Sequence, residues 1–240
     1  GSYKNGIYDT LPISGKDLTL TIDSKLQQYG ESLMINKRGG IVAIEPSTGE
    51  ILAMISTPTY NPNLMVGRER SKNFSRMYRD TISNPLLDRG LKGEYPPGSP
   101  FKVITALVAL QENVINKSTT IKCFGGYRYG AGKDAFMECH CETYGSSVEL
   151  NKAIYRSCNS YFANAYRKSI EKYPTSSEGM NVWSNHVKSF GLGNYLNNDL
   201  SVGQKGLVPT GEFYDKWYPN SRWTATYNIS NAIGQGEILT

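Results

Sequence analysis

The sequence predicts an α+β fold: an antiparallel sheet, a helical subdomain, and one buried helix with a serine at its mouth. Three observations predict it. Two apolar runs, Gly40-Ile41-Val42-Ala43-Ile44 and Ile51-Leu52-Ala53-Met54-Ile55, flank the turn Pro46-Ser47-Thr48-Gly49, which is a hairpin signal. The stretch Glu94-Tyr95-Pro96-Pro97-Gly98-Ser99-Pro100-Phe101-Lys102 is a rigid turn leading into an apolar run over 103–110. Apolar residues at helical spacing then recur between 150 and 187.

In chain order, residues 1–15 lack a period and read as a linker or arm, and a chain of 240 residues fits one large domain or one and a half small ones. Leu18-Thr19-Leu20-Thr21-Ile22 alternates and predicts a strand. Asp23 or Ser24 can cap a helix with Leu26, Tyr29 and Leu33 on its apolar face. The hairpin follows, and its tight turn requires antiparallel strands. Residues 57–84 are polar and broken by prolines, which predicts a long loop. Ser146-Ser147-Val148-Glu149 has the pattern of a capping box opening a helix through Leu150 and Ile154, which stops at Ser157-Cys158-Asn159. A second helix turns Phe162, Ala163 and Tyr166 inward, and a third carries Met180, Trp183 and Val187 before Gly191 or Gly193. Residues 194–220 read as loop and 224–229 as a strand.

Composition excludes several classes. Hydrophobic content of 39% and charged content of 20% fit a globular domain, and a net charge of +5 spread along the chain does not suggest a nucleic-acid partner. No apolar run is long enough to span a bilayer.

The chemistry concentrates in two places. Ser99 and Lys102 lie one helical turn apart and share a face. The run after Lys102 is apolar nearly all round, so the helix is buried. A desolvated lysine can shed its proton and activate the serine hydroxyl. Ser157-Cys158-Asn159 brings further polar groups to a junction between helices. A second S-x-x-K, Ser169 to Lys172, sits in a polar helical stretch and reads as a solvated face. His186 reads as a surface residue.

In this order, Ser99-Pro100-Phe101-Lys102 and Ser157-Cys158-Asn159 resemble the S-x-x-K and S-x-N motifs of the penicillin-binding transpeptidases. The hairpin, Asp88-Arg89-Gly90-Leu91, Phe190-Gly191-Leu192-Gly193 and Gly234-Gln235-Gly236 widen the resemblance to residues 16–240. It is nearest the monofunctional (class B), elongation-type penicillin-binding protein 2, with the penicillin-binding/serine β-lactamase-like fold. The resemblance implies a serine D,D-transpeptidase that cross-links peptidoglycan stem peptides and is inhibited by β-lactams. Ser99 would be the nucleophile, Lys102 its base, Ser157 a proton relay, and Asn159 the residue holding Lys102 and substrate. Gly234, Gln235 and Gly236 would border the substrate. Its partners would be lipid-linked peptidoglycan strands and a glycosyltransferase of the elongation machinery. It would work on the periplasmic face of the inner membrane, held by a single-pass segment outside this sequence. No K-[ST]-G occurs, which reads as a domain lacking its last strands and C-terminal helix. A D,D-carboxypeptidase, a β-lactamase, and a non-catalytic sensor or structural fragment stay open as alternatives.

The reaction implied needs no cofactor. Cys123, Cys139 and Cys141, with His140 as a fourth ligand, form one candidate structural zinc site, since thiolate and imidazole are zinc ligands. Related chains carry metal-type ligands in this insertion. A disulfide from Cys123 to Cys139 or Cys141 is the main alternative, and thiols without either are the third. Cys158 reads as a small packing residue.

Overall fold

The computed structural model describes residues 13–141, 144–196, 202–219 and 222–240. Most of the predicted arm, residues 1–12, lies outside them. The chain forms two compact units, Gly1–Gly90 and Leu91–Thr240.

The first unit is built on the hairpin. Strands β1 (Gly39–Ile44) and β2 (Ile51–Thr57) pair antiparallel, Ile41 opposite Ile55, with an irregularity at Ala43/Ile44. Gly49 closes the turn at φ +79°, a conformation glycine adopts without penalty. Helix α1 (Ser24–Leu33) starts at Asp23, whose carboxylate accepts from the N–H groups of Lys25 and Leu26 at 2.8 and 3.0 Å. Its orientation corrects the expectation. Leu26, Tyr29 and Leu33 are exposed, while Gly30 is buried against Ile55. A β-carbon on Gly30 would lie 2.7 Å from Ile55 Cδ1. Gln27 completes that face by bonding both the N–H and the carbonyl of Met54 at 2.9 and 3.0 Å. The missing side chain and one amide decide the packing, not the apolar stripe.

Residues 18–22 form no strand. Thr21 Oγ1 donates to the Ile51 carbonyl, and Asp23 beyond them donates its N–H to the Leu52 carbonyl, but no ladder with β2 develops. Residues 57–84 are not all loop: a 3-10 turn at Pro62–Met65 precedes helix α2 (Arg70–Arg79). One buried residue, Met77, and the stacked pair Phe74 and Tyr78 give that helix its apolar contacts.

The second unit is mostly helical. A 3-10 turn at Ser99–Phe101 continues into α3 (Lys102–Gln111). Short antiparallel pairs follow: β3 (Ile121–Lys122) with β6 (Ser147–Val148), and β4 (Gly126–Arg128) with β5 (Phe136–Glu138). Ser147 and Val148 are therefore strand, and α4 (Leu150–Tyr155) starts after Glu149 without a side-chain cap. The expected capping box is not formed. Helix α5 (Asn159–Glu171) is the hub, packing on α3, on α6 (Ser176–Ser189) and on a 3-10 turn at Ile229–Ile233. Thr175 and Thr210 cap α6 and α7 (Gly211–Trp217) through their side-chain oxygens. Helix α7 and the turns over 224–233 replace the loop and strand expected there. Tyr161, Phe162, Tyr166, Met180 and Trp183 are buried, and Trp183 meets Tyr166 edge-on at 5.3 Å and Phe101 at 6.0 Å.

The second S-x-x-K is solvated only in part: Ser169 is buried, whereas Lys172 is exposed and tied to Glu112. Ser169 Oγ donates to the Ala165 carbonyl, and Lys172 Nζ reaches Glu112 Oε2 at 2.9 Å. Tyr173 OH donates to the same oxygen at 2.7 Å, and His186 Nε2 lies 2.7 Å from Oε1. His186 is thus a half-buried partner rather than a surface residue. Burial pushes the Glu112 carboxyl up, but the bonds from Lys172, Tyr173 and His186 outweigh it and bring it from 4.5 to about 2. A depressed acid stabilises the fold above its unfolded value and loses that contribution as pH falls through its folded value. The shift corresponds to about 3 kcal/mol. We therefore expect Glu112→Gln to lose about 1–3 kcal/mol at pH 7. Its deficit should shrink as pH is lowered from 4.5 towards 2, which urea titrations across pH would show.

Candidate active site

The serine is delivered by backbone chemistry. Pro96, Pro97 and Pro100 restrict the turn and offer no N–H. Gly98 takes φ +65° and ψ −155°, a region essentially confined to glycine. Ser99 then opens the first helical turn, and Lys102 follows on the same face. Lys102 is 3% exposed, the charged residue at the head of an otherwise apolar helix.

Four oxygens converge on Lys102 Nζ. Ser99 Oγ lies at 3.1 Å, the Ser157 carbonyl at 2.9 Å, Ser157 Oγ at 2.8 Å and Asn159 Oδ1 at 2.5 Å. An ammonium has three donors, so it cannot satisfy all four at once. A neutral amine also makes three hydrogen bonds, but one of them can be through its lone pair, which can accept the Ser99 hydroxyl proton while Ser157 Oγ donates to Ser99 Oγ. Burial pushes the Lys102 amine down, opposed by the charges of Cys139, Cys158 and Cys141. Ser157 Oγ also lies 3.1 Å from Ser99 Oγ, so the two hydroxyls and the amine form a closed triangle. Ser157 holds φ +51°, strained for a non-glycine residue, at the junction between α4 and α5. That backbone turns both its carbonyl and its hydroxyl towards Lys102.

Asn159, the first residue of α5, is held from behind. Its Nδ2 donates to the Glu138 carbonyl at 2.7 Å, and its backbone N–H donates to Cys139 Sγ at 3.2 Å. The amide orientation follows: with the nitrogen committed to Glu138, Oδ1 must face Lys102. The Glu138 carbonyl carries no signal in the sequence, because any residue could supply it.

The cysteines form one cluster. The Sγ atoms of Cys123, Cys139, Cys141 and Cys158 all lie within 4.8 Å of one another, and all four residues are buried. No disulfide joins them. Cys141 and Cys123 are 3.5 Å apart, Cys139 and Cys158 3.8 Å. Cys158 therefore supplies the fourth sulfur, not His140, whose exposed ring lies 3.9 Å from Glu138. The hydrogen bond shared by Cys139 and Cys158 favours one thiolate in the pair, lowering Cys139 and, with burial, raising Cys158. The adjacency of Cys158 to the S-x-N pattern was the available sequence signal.

Gly234, Gln235 and Gly236 divide. Gly234 is buried beneath the turn that carries Ser99, and its carbonyl accepts the Gly98 N–H at 2.8 Å. Gln235 and Gly236 are exposed.

The fold and sequence have known counterparts. Residues 39–239 match the model of the penicillin binding protein transpeptidase domain. A peptidoglycan D,D-transpeptidase MrdA of Acinetobacter baumannii is 35% identical over 94% of this chain and 32% of its own length. A crystal structure of Pseudomonas aeruginosa PBP2 in complex with WCK 5153 superposes with a TM-score of 0.79 at 34% identity, over 95% of this chain and 49% of that one. The PBP2 of a complex between PBP2 and MreC from Helicobacter pylori gives a TM-score of 0.77 at 31% identity, over 91% of this chain and 39% of that one. The chain thus spans about a third of the length of the curated relatives it matches. With the serine, lysine and asparagine motifs assembled in that fold, the chain belongs to the penicillin-binding protein transpeptidase family.

Proposed function

We propose that this chain is the acylating core of a serine D,D-transpeptidase that cross-links peptidoglycan stem peptides during cell elongation, and that β-lactams acylate the same serine. The convergence of Ser99, Ser157 and Asn159 on the buried Lys102 amine carries this reading. Ser99 Oγ attacks the carbonyl between the two terminal D-alanines as Lys102 takes its proton. The Ser99 N–H is one donor to the developing oxyanion. As the tetrahedral intermediate collapses, the C–N bond breaks and Ser157 passes a proton to the departing amine. The acyl group remains as an ester on Ser99. The amine of a second stem peptide then attacks its carbonyl, a C–N bond forms as the C–O bond to Ser99 breaks, and the proton lost by the amine returns through Ser157 and Lys102 to Ser99 Oγ. Gln235 and Gly236, exposed beside the Ser99 turn, border the substrate.

Residues 16–240 are read as the transpeptidase domain. The MreC complex of the Helicobacter pylori relative supports an elongation assembly, in which a glycosyltransferase would supply the strands to be joined. The site of action is the periplasmic face of the inner membrane. No helix among the described residues is long and apolar enough to cross a membrane.

The serine chemistry draws on no cofactor, but the four buried thiols fit a structural zinc. A tetrahedral tetrathiolate with bonds of about 2.3 Å has sulfur–sulfur edges of about 3.8 Å. The pairs at 3.5 and 3.8 Å match that spacing. Cys123, Cys139, Cys141 and Cys158 would hold the ion, which would supply only a structural cross-link.

Labelling with a fluorescent penicillin tests the function. The protein should acquire one adduct, and Ser99→Ala should acquire none. Labelling that persists in Ser99→Ala would contradict the assignment.

A further inference from the structure

We propose that Gly234 is a positioning residue: its carbonyl and its missing side chain together hold the Gly98 turn that aims Ser99 at Lys102. The inference rests on the reading of Ser99 as the nucleophile, but its structural half stands alone.

The argument begins with the donors of the turn. Among residues 96–100 three are proline, so only Gly98 and Ser99 carry a backbone N–H. The Gly98 N–H goes to the Gly234 carbonyl at 2.8 Å. It is therefore the one backbone donor that can pin the turn while leaving the Ser99 N–H for a substrate oxygen. Pinning is needed because φ +65° and ψ −155° at Gly98 is a sparsely populated state, which persists only where its surroundings over-determine it.

Gly234 must also be a glycine twice over. Its own φ is +68°. A β-carbon there would collide with the Gly98 carbonyl oxygen and lie 2.6 Å from Phe101 Cβ and 2.8 Å from Gly98 N. Those atoms are backbone, or fixed to it, and cannot rotate away. Any side chain would push the turn, and Ser99 with it, off the 3.1 Å approach to Lys102.

The segment around Gly234 is itself tied to the catalytic helix. Thr105, one turn beyond Lys102 in α3, donates from Oγ1 to the Ala232 carbonyl at 2.9 Å, and both residues are buried. At the other end of the turn, Tyr95 and Thr240 exchange both backbone hydrogen bonds at 2.9 Å. Residues 232–240 thus grip the Ser99 turn at both ends, from more than a hundred positions away in sequence.

The test compares Gly234→Ala with Gly193→Ala. Gly193 has a similar φ, +71°, and its β-carbon would meet Val208 at 2.9 Å, so the control carries similar strain away from the turn. Penicillin acylation would be resolved into initial binding and the chemical step, with amide exchange followed at Gly98. Gly234→Ala should slow the chemical step about 100-fold, with binding changed less than about threefold, as expected when a reacting atom is misplaced. It should also remove the protection of the Gly98 N–H, whereas Gly193→Ala should do neither. Equal chemical steps and equal Gly98 protection in the two variants would overturn the proposal. If Gly234→Ala does not fold, Thr105→Val decides: it should slow the chemical step about fivefold, and an unchanged rate would overturn the proposal. If the unaltered protein is never acylated, the reading of Ser99 fails, and Gly98 exchange alone decides the role of Gly234.

Discussion

Lys102→Met is expected to slow acylation by penicillin about 1,000-fold while leaving the protein folded. The magnitude is that of a positioned general base. Methionine fills the space of the lysine stem, but the Ser157 carbonyl and Asn159 Oδ1 lose their donor. That costs about 1–3 kcal/mol of stability. The pH dependence separates this from a packing defect. The neutral amine is the base, and burial places its titration below the ordinary lysine value of 10.5. The acylation rate of the unaltered protein should therefore rise with pH and level off once Lys102 is deprotonated, with a midpoint below 10.5. In Lys102→Met that rise should disappear. A variant within about threefold of the parent rate, with the same profile, would remove Lys102 from the base role.

Removal of metal should have the second large effect, this time on stability. If zinc joins Cys123, Cys139, Cys141 and Cys158, it closes loops across β5, the 139–141 segment and the start of α5. Structural zinc contributes strongly to folding, because the unfolded chain holds no such site. The purified protein should contain one zinc per chain, and a chelator should lower its Tm by about 10 °C or more. Cys139→Ala should purify without metal and show the same deficit. Because Cys139 Sγ accepts the Asn159 N–H and Cys158 separates Ser157 from Asn159, acylation should fall with stability. Intact mass discriminates the alternatives. A metal-free protein lighter by about 2 or 4 Da, from the loss of two hydrogens per disulfide, would replace zinc with disulfides. A metal-free protein of unchanged mass would leave thiols alone.

What the sequence revealed depended on whether the physics was local. Ser99 and Lys102 were legible because the proline turn, the i,i+3 spacing and the apolar run are neighbours in the chain. Ser157 and Asn159 were legible because the break between two helices is written in the same few residues. The hairpin was legible for the same reason. The Glu138 carbonyl that orients Asn159 was not, since a backbone oxygen has no residue type. Cys158 looked like packing until the fold brought it beside three sulfurs from the preceding insertion. Helix α2 was hidden by its polar composition, as one buried methionine leaves little apolar signature. The face of α1 was misjudged because close approach at Gly30 outweighed a stripe of three apolar residues. Residues 224–229 alternate like a strand, yet Ala225 and Ile229 reach the core from turns.

The most direct measurement is the intact mass of this protein after incubation with a penicillin, beside Ser99→Ala, with the modified residue mapped by peptide sequencing. One equivalent of the β-lactam, bound through Ser99 and absent from the variant, is the predicted result. An adduct on another residue, or no adduct on a protein shown to be folded, would contradict the claim that Ser99, Lys102, Ser157 and Asn159 form an acylating site.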